Sequence, residues 1–221
     1  TASAGYYNSV AFDRLARGRG LWTANINGDA FSTECKRQAL ELIRSDMGPL
    51  DLVVYSLASP RRTHPKTGEV YNSVLKTIDY PFAGKTVDIT RGTVSEVKIA
   101  AASDSEIAAT IAVMGGEDWK MWIDVLRDEH LLAEGVRTLA YSYIGPELTW
   151  PIYRHGTIGA AKKNIEQTAR GLCADLEIHL GGGAWVSVNK AVVTQSSAAI
   201  PVVPLYLSLL VRVMRDKAIH E

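Results

Sequence analysis

The chain has 221 residues, enough for one large domain or two small ones, and with 47% of them apolar a sizeable core can form. Its 24 Lys plus Arg are balanced by 24 Asp plus Glu, which argues against general nucleic-acid binding, since that needs a basic face. The two cysteines, Cys35 and Cys173, read as reduced thiols of a cytosolic protein, and no Cys/His cluster has zinc-ligand spacing.

In chain order, Thr1-Ala2-Ser3-Ala4-Gly5 has no basic start followed by an apolar stretch, so it does not read as a signal peptide. It also lacks an initiator Met, which points to a fragment or a processed chain. Leu21 to Ile26 reads as a strand ended by Asn27-Gly28-Asp29. A helix is expected from about Thr33 to Met47, with Leu40, Ile43 and Met47 at helical spacing, stopped by Gly48-Pro49. Asp51 to Leu57 is a short, apolar, β-branched run of the kind buried in parallel sheets.

From Ser59 to about Ala102 the alternation breaks. A basic, turn-rich loop, Pro60 to Gly68, opens this excursion, and Lys85–Ile89 with Val94–Ile99 predicts a hairpin around Arg91-Gly92. Helices are expected near Ser105–Val113 and Asp118–Leu126, the first with a Ser103/Glu106 capping box. Thr138 to Tyr143 is the next strand, and Gly145 to Gly156 is a loop. A long helix follows from about Thr157 to Leu180, with Ile158, Ala161, Ile165, Ala169, Leu172 and Leu176 on one face. Gly181-Gly182-Gly183 ends it, Ala184–Val193 is a strand, and an apolar helix follows Pro204. The run Ala198–Val213 contains Pro201 and Pro204 and is short for a membrane span.

This alternation predicts one α/β domain over residues 1–221: a Rossmann-like parallel sheet with flanking helices and a loop and hairpin excursion at about 59–102. Ligands of such sheets bind past the carboxyl ends of the strands. Four strand ends would then face one crevice, through the turns at Gly28-Asp29-Ala30, Leu57-Ala58-Ser59, Tyr143–Tyr153 and Val193-Thr194-Gln195. No G-x-G-x-x-G turn follows an early strand, so the sheet lacks its first glycine-rich βα unit: either the chain binds no dinucleotide or it starts after that turn.

Within the loop and long helix, Tyr153 and Lys162 stand out. Inside one regular helix, nine positions would place them on opposite faces. Pro151, Gly156 and Gly159 instead put Tyr153 in the loop and Lys162 on the helix, so the loop could fold the phenol back toward the ammonium. A neutral phenol can protonate a substrate as negative charge develops, and a nearby cation would lower its pKa and hold ribose hydroxyls. Lys163 points about 100° away around the helix. Spacing alone leaves a second reading open, a surface loop aromatic beside the solvated face of a helix. His155 and His64 read as loop and turn residues, and Met114, Trp119, Met121 and Trp122 as packing. Tyr141 and Tyr143 point the same way from a strand. Asp29 reads equally as a turn residue or as a ligand to an adenine amino group.

The Tyr153-x8-Lys162 motif resembles the active-site signature of the FabV-type enoyl-acyl-carrier-protein reductases, also called trans-2-enoyl-CoA reductases. Three further stretches are similar to that family: Val53 to Gly68, Val113 to Trp119 and Lys190 to Gln195. The resemblance covers essentially the whole chain. It implies NADH-dependent reduction of trans-2-enoyl thioesters, carried by acyl carrier protein or CoA, in fatty acid biosynthesis. Tyr153 would donate the proton. Tyr143 would hydrogen-bond the thioester carbonyl. Lys162 would hold the cofactor ribose, with Lys163 beside it. Asp29, Ala30, Leu57, Ala58, Ala191, Val192 and Val193, with Thr194, would line the NADH site, and the helix after Ser196 would shape the acyl-chain pocket.

By the same resemblance the chain is a central piece: the family's glycine-rich phosphate turn and the acidic residue thought to select NADH would lie before Thr1, and members continue past Glu221. A cytoplasmic monomer with no metal, no nucleic-acid partner and no stable membrane insertion is expected. The alternatives are a carbonyl reductase of the short-chain dehydrogenase type and a non-catalytic fragment.

Overall fold

A computed structural model describes residues 3–190 and 200–220. Its first helix, α1 (Ala4–Gly18), starts where the Ser3 side chain accepts the amide of Tyr6; the sequence reading assigned no element there. Residues 21–26, expected as a strand, form none. A strand exists only through a ladder partner, and no described strand runs beside this segment. Helix α2 (Thr33–Asp46) follows as expected, capped by Ser32.

The central sheet has the order β1–β6–β7, both pairs parallel. Its strands are β1 (Leu50–Tyr55), β6 (Leu132–Ser142) and β7 (Gly183–Val188). Strand β6 starts earlier than expected because Gly135, at φ 73°, lets the chain bulge between the Leu50–Leu132 and Leu52–Arg137 pairings. Between β1 and β6 lie two antiparallel hairpins, β2 (Arg61–Thr63) with β3 (Val70–Asn72), and β4 (Phe82–Asp88) with β5 (Thr93–Ile99). Helices α3 (Asp104–Met114) and α4 (Glu117–Asp128) come next, and the Ser103/Glu106 capping box is present. Helix α5 (Thr157–Leu180) joins β6 to β7 and ends at Gly181, φ 62°. Helix α6 (Val203–Asp216) packs against β4.

The expected stripe of α5 is buried at every position, from Ile158 to Leu176. From Ile165 to Leu176 it packs with Trp119, Ile123, Val136 and Ala140 into one core. Burying each large apolar side chain contributes roughly 1.5–3 kcal/mol. Trp119 adds direction. Its indole N–H donates to the Thr138 hydroxyl (2.9 Å), which donates to the Val53 carbonyl (3.0 Å), so α4 is tied to both β6 and β1. The sequence reading took β1 as a buried strand, but Leu52 and Val54 are exposed, as are Tyr141 and Trp185. The core lies on the other face, where alternation places Val53, Tyr55 and Ala140. Among the described residues no helix is long and apolar enough to cross a membrane.

Candidate active site

The loop after β6 is shaped by its own backbone. The Thr149 hydroxyl donates to the Pro146 carbonyl (2.8 Å) around a 3-10 turn, Glu147–Thr149. The Tyr153 amide donates to the Thr149 carbonyl (2.9 Å), and the Trp150 indole to Gly145 (3.1 Å). Trp150 also carries the Arg154 guanidinium 4.4 Å above its ring. The start of α5 is pinned to the segment before β4. Thr157 donates its amide to the Lys76 carbonyl (3.0 Å) and its hydroxyl to the Val74 carbonyl (2.5 Å).

Gly159 is what lets the loop close. Its amide donates to the Tyr153 carbonyl (2.9 Å). A Cβ at this position would sit 1.8 Å from the Arg154 carbonyl oxygen, so no side chain fits. Gly159 and Lys162 are three residues apart and share a helix face. The loop carbonyl therefore docks on the face that carries Lys162. Tyr153 does lie in the loop, and Lys162 lies on the helix.

These residues meet around a cavity of about 170 Å³, whose lining includes Tyr143, Tyr153, Gly159, Lys162 and Lys163. The rings of Tyr143 and Tyr153 stand edge to face with centroids 5.5 Å apart. Burial pushes the Tyr153 phenol up to about 12, with the Tyr143 phenol adding to the effect. The sequence had suggested the opposite, a phenol drawn down by a cation. Desolvation dominates here, and no hydrogen bond joins Tyr153 to Lys162 among the described residues. The shift leaves Tyr153 a neutral acid far into the alkaline range. Burial also lowers the pKa of Lys162. Its ammonium has no hydrogen-bond or ion-pair partner among the described residues. Burial and then the Tyr206 phenol raise Tyr143, so α6 brings a third phenol near this site. Tyr206 was not singled out from sequence; its only signal was a lone Tyr in an apolar helix.

A second groove, of about 400 Å³, lies between two turns, Gly28–Phe31 and Leu57–Ser59. Asp29 is a turn residue here: one carboxylate oxygen accepts the Phe31 amide (3.0 Å) and its carbonyl accepts Ser32. Asp29, Ala30, Leu57 and Ala58 thus share one groove, while Tyr143, Tyr153, Lys162 and Lys163 share the other cavity. Ala191, Val192, Val193 and Thr194 lie outside the described residues. Of the four strand ends expected around one crevice, the described sheet supplies those of β1, β6 and β7. The donor set suits a nicotinamide cofactor: an ammonium without an acceptor among the described residues, beside two phenols, and a separate groove edged by backbone turns. Within the basic loop, Arg62 is fully buried, donating to the Ala112 carbonyl (2.6 Å) and to Glu117 (2.7 Å). His64 is a turn residue as expected, its Nδ1 accepting the amides of Lys66 and Thr67. His155 is exposed and packs on Trp150, and Trp119 is core.

Comparison with known proteins matches residues 1–221 to the family described as "Trans-2-enoyl-CoA reductase catalytic region". The chain is 59% identical over 221 residues to an enoyl-[acyl-carrier-protein] reductase [NADH] of Flavobacterium johnsoniae, covering all of this chain and 56% of that protein. It is 58% identical over 221 residues to a trans-2-enoyl-CoA reductase [NADH] of Ruminiclostridium cellulolyticum, again covering 56% of it. Among solved structures it is similar to the trans-2-enoyl-CoA reductase of Clostridium acetobutulicum in complex with NADH. That match has TM-score 0.92 and 47% identity, over 99% of this chain and 55% of the other. The chain thus spans about half the length of the curated relatives it matches.

Proposed function

Because the chain belongs to the trans-2-enoyl-CoA reductase catalytic-region family, we propose that it carries the acid and cation of an enzyme that reduces trans-2-enoyl thioesters with NADH. The observation that carries this reading is the cavity where two phenols stand edge to face, 5.5 Å between centroids, beside an ammonium with no partner among the described residues.

NADH, when bound, supplies a hydride to the β-carbon of the enoyl group. Tyr143 donates a hydrogen bond to the thioester carbonyl, favouring the enolate as charge collects on that oxygen. Tyr153, kept protonated by burial, supplies the proton. Lys162 donates to the ribose hydroxyls, with Lys163 beside it. Asp29, Ala30, Leu57 and Ala58 hold the rest of the cofactor in the second groove; Ala191, Val192, Val193 and Thr194, outside the described residues, are assigned to the cofactor by the family resemblance. The carrier is CoA or acyl carrier protein, the two named among the relatives. The reaction belongs to fatty acid biosynthesis, in the cytoplasm, with the protein as a monomer.

The test is NADH oxidation with crotonyl-CoA, using the chain joined to the flanking lengths its relatives carry. Tyr153→Phe should lower turnover on the order of 10²–10⁴-fold while NADH still quenches or shifts fluorescence on binding. Turnover at the unsubstituted rate in Tyr153→Phe would overturn the role given to this phenol.

A further inference from the structure

The acid and cation do not explain a buried ion pair near the cofactor groove. Lys36, on the second turn of α2, is 6% exposed, and Asp118, on the first turn of α4, is 1% exposed. The Lys36 ammonium donates to Asp118 (2.7 Å), to the Ala30 carbonyl (3.2 Å) and to the Phe31 carbonyl (3.0 Å). It also lies 4.9 Å from the centre of the Trp122 ring. The second oxygen of Asp118 accepts the Tyr55 hydroxyl (3.3 Å). Tyr55 is buried at the last position of β1, two residues before Leu57.

This placement runs against local preference. The start of a helix carries partial positive charge, so a cation reaching back over it is disfavoured. A buried ion pair is also a poor source of net stability, because desolvation offsets the attraction. What the pair does achieve is geometric. One wall of the groove is the turn Gly28–Phe31, and the other is Leu57–Ser59. Lys36 grips the first wall by two backbone carbonyls. Tyr55 ends the strand that leads into the second. Asp118 holds both.

We infer that Lys36, Asp118 and Tyr55 are positioning residues that set the width of the groove between the two turns, and thereby the affinity for the cofactor. None of them lines the groove itself; they act through Ala30, Phe31 and the end of β1. The inference rests on the NADH reading given above and extends it to residues outside the groove.

The experiment uses the chain with the flanking lengths of its relatives and three variants: Tyr55→Phe, the neutral pair Lys36→Met with Asp118→Asn, and Tyr153→Phe as a control. NADH affinity is read by fluorescence titration, stability by thermal melting, and turnover as separate KM values for NADH and crotonyl-CoA. The neutral pair removes both charges together, so no uncompensated charge is left, and its melting temperature should stay within about 4 °C. It still leaves the Ala30 and Phe31 carbonyls without their donor. Its Kd and KM for NADH should rise about tenfold, with the KM for crotonyl-CoA unchanged. Tyr55→Phe, the gentler change, should raise the NADH Kd two- to fivefold. Tyr153→Phe should leave the NADH Kd alone.

A neutral pair that melts like the parent and binds NADH like the parent would overturn the inference, leaving the reductase reading intact. If the neutral pair fails to fold, Tyr55→Phe decides: a parental NADH Kd there overturns the inference. If the unsubstituted protein binds no NADH, the cofactor reading falls and the inference falls with it.

Discussion

Lys36 and Lys162 are two lysines of one chain drawn out of water, and they differ in what their ammonium groups touch. Lys36 is held by a carboxylate and two backbone carbonyls. Lys162 has no hydrogen-bond or ion-pair partner among the described residues, and burial alone pulls its pKa down. An ammonium whose donors are satisfied by its own chain acts as a strut. One left without acceptors opposes folding and is available to a ligand. On the proposed function, the contrast separates a structural cation from a working one where exposure alone would not, since the more buried of the two is the one its own chain satisfies.

Exchanging each for Met should split the two roles most sharply. Lys162→Met should cut turnover on the order of 10²-fold or more, because the ribose and the developing phenolate lose their cation. The same change should raise the melting temperature of the cofactor-free protein by about 2 °C, since a desolvated charge is removed. Lys36→Met alone should do the reverse in stability. It strands Asp118 as a buried uncompensated charge and should cost about 3–5 kcal/mol, read by denaturant unfolding. A Lys162→Met protein that is both inactive and unstable would place Lys162 with Lys36 as a strut and end the comparison.

Much of this was legible in the chain. The helix α5, its buried stripe and the glycine that ends it follow from spacing and from the αL preference at Gly181. Pro151, Gly156 and Gly159 suggested a loop folding back on a helix, and the structure has Gly159 receiving the Tyr153 carbonyl. What could not be read was long-range. Lys36 and Asp118 are 82 positions apart, and each looks like an ordinary surface charge in an amphipathic helix. Arg62 sat in a run that reads as a solvated basic loop, and only its packing on α3 and α4 buries it. Residues 21–26 carry a strand-like composition, but a ladder partner is a property of topology and not of the segment.

A smaller effect should come from the backbone that delivers Tyr153. Gly159→Ala introduces a methyl 1.8 Å from the Arg154 carbonyl oxygen, a backbone atom next to the Tyr153 carbonyl that the Gly159 amide holds. The loop would shift by a fraction of its own width, costing about 1–3 kcal/mol of stability and on the order of tenfold to a hundredfold in turnover. NADH affinity should change less, because the groove at Gly28–Phe31 is elsewhere. Parental turnover in Gly159→Ala would show that the acid does not depend on this contact.

The smallest effect is the pH dependence of the two groups, and it also divides them. Tyr153 rises from its ordinary 10 to about 12 in the folded protein. Folding therefore favours its neutral form: that contribution is complete below about pH 10 and disappears as pH climbs through 12. Lys162 is shifted the other way, below its ordinary 10.5. Folding disfavours its charged form, so the charged ammonium weakens the fold, and the penalty fades as it loses its proton. As pH rises toward 10.5 the parent should thus gain from Lys162, while above about pH 10 it begins to lose from Tyr153. Subtracting melting curves isolates them. The advantage of Lys162→Met over the parent should shrink with rising pH, and Tyr153→Phe should resist alkali better than the parent above pH 10, each by about 1–3 °C. Equal slopes in all three proteins would mean that neither group is desolvated enough in solution to carry the roles assigned to them. In that case the unpartnered ammonium of Lys162 is simply a hydrated one.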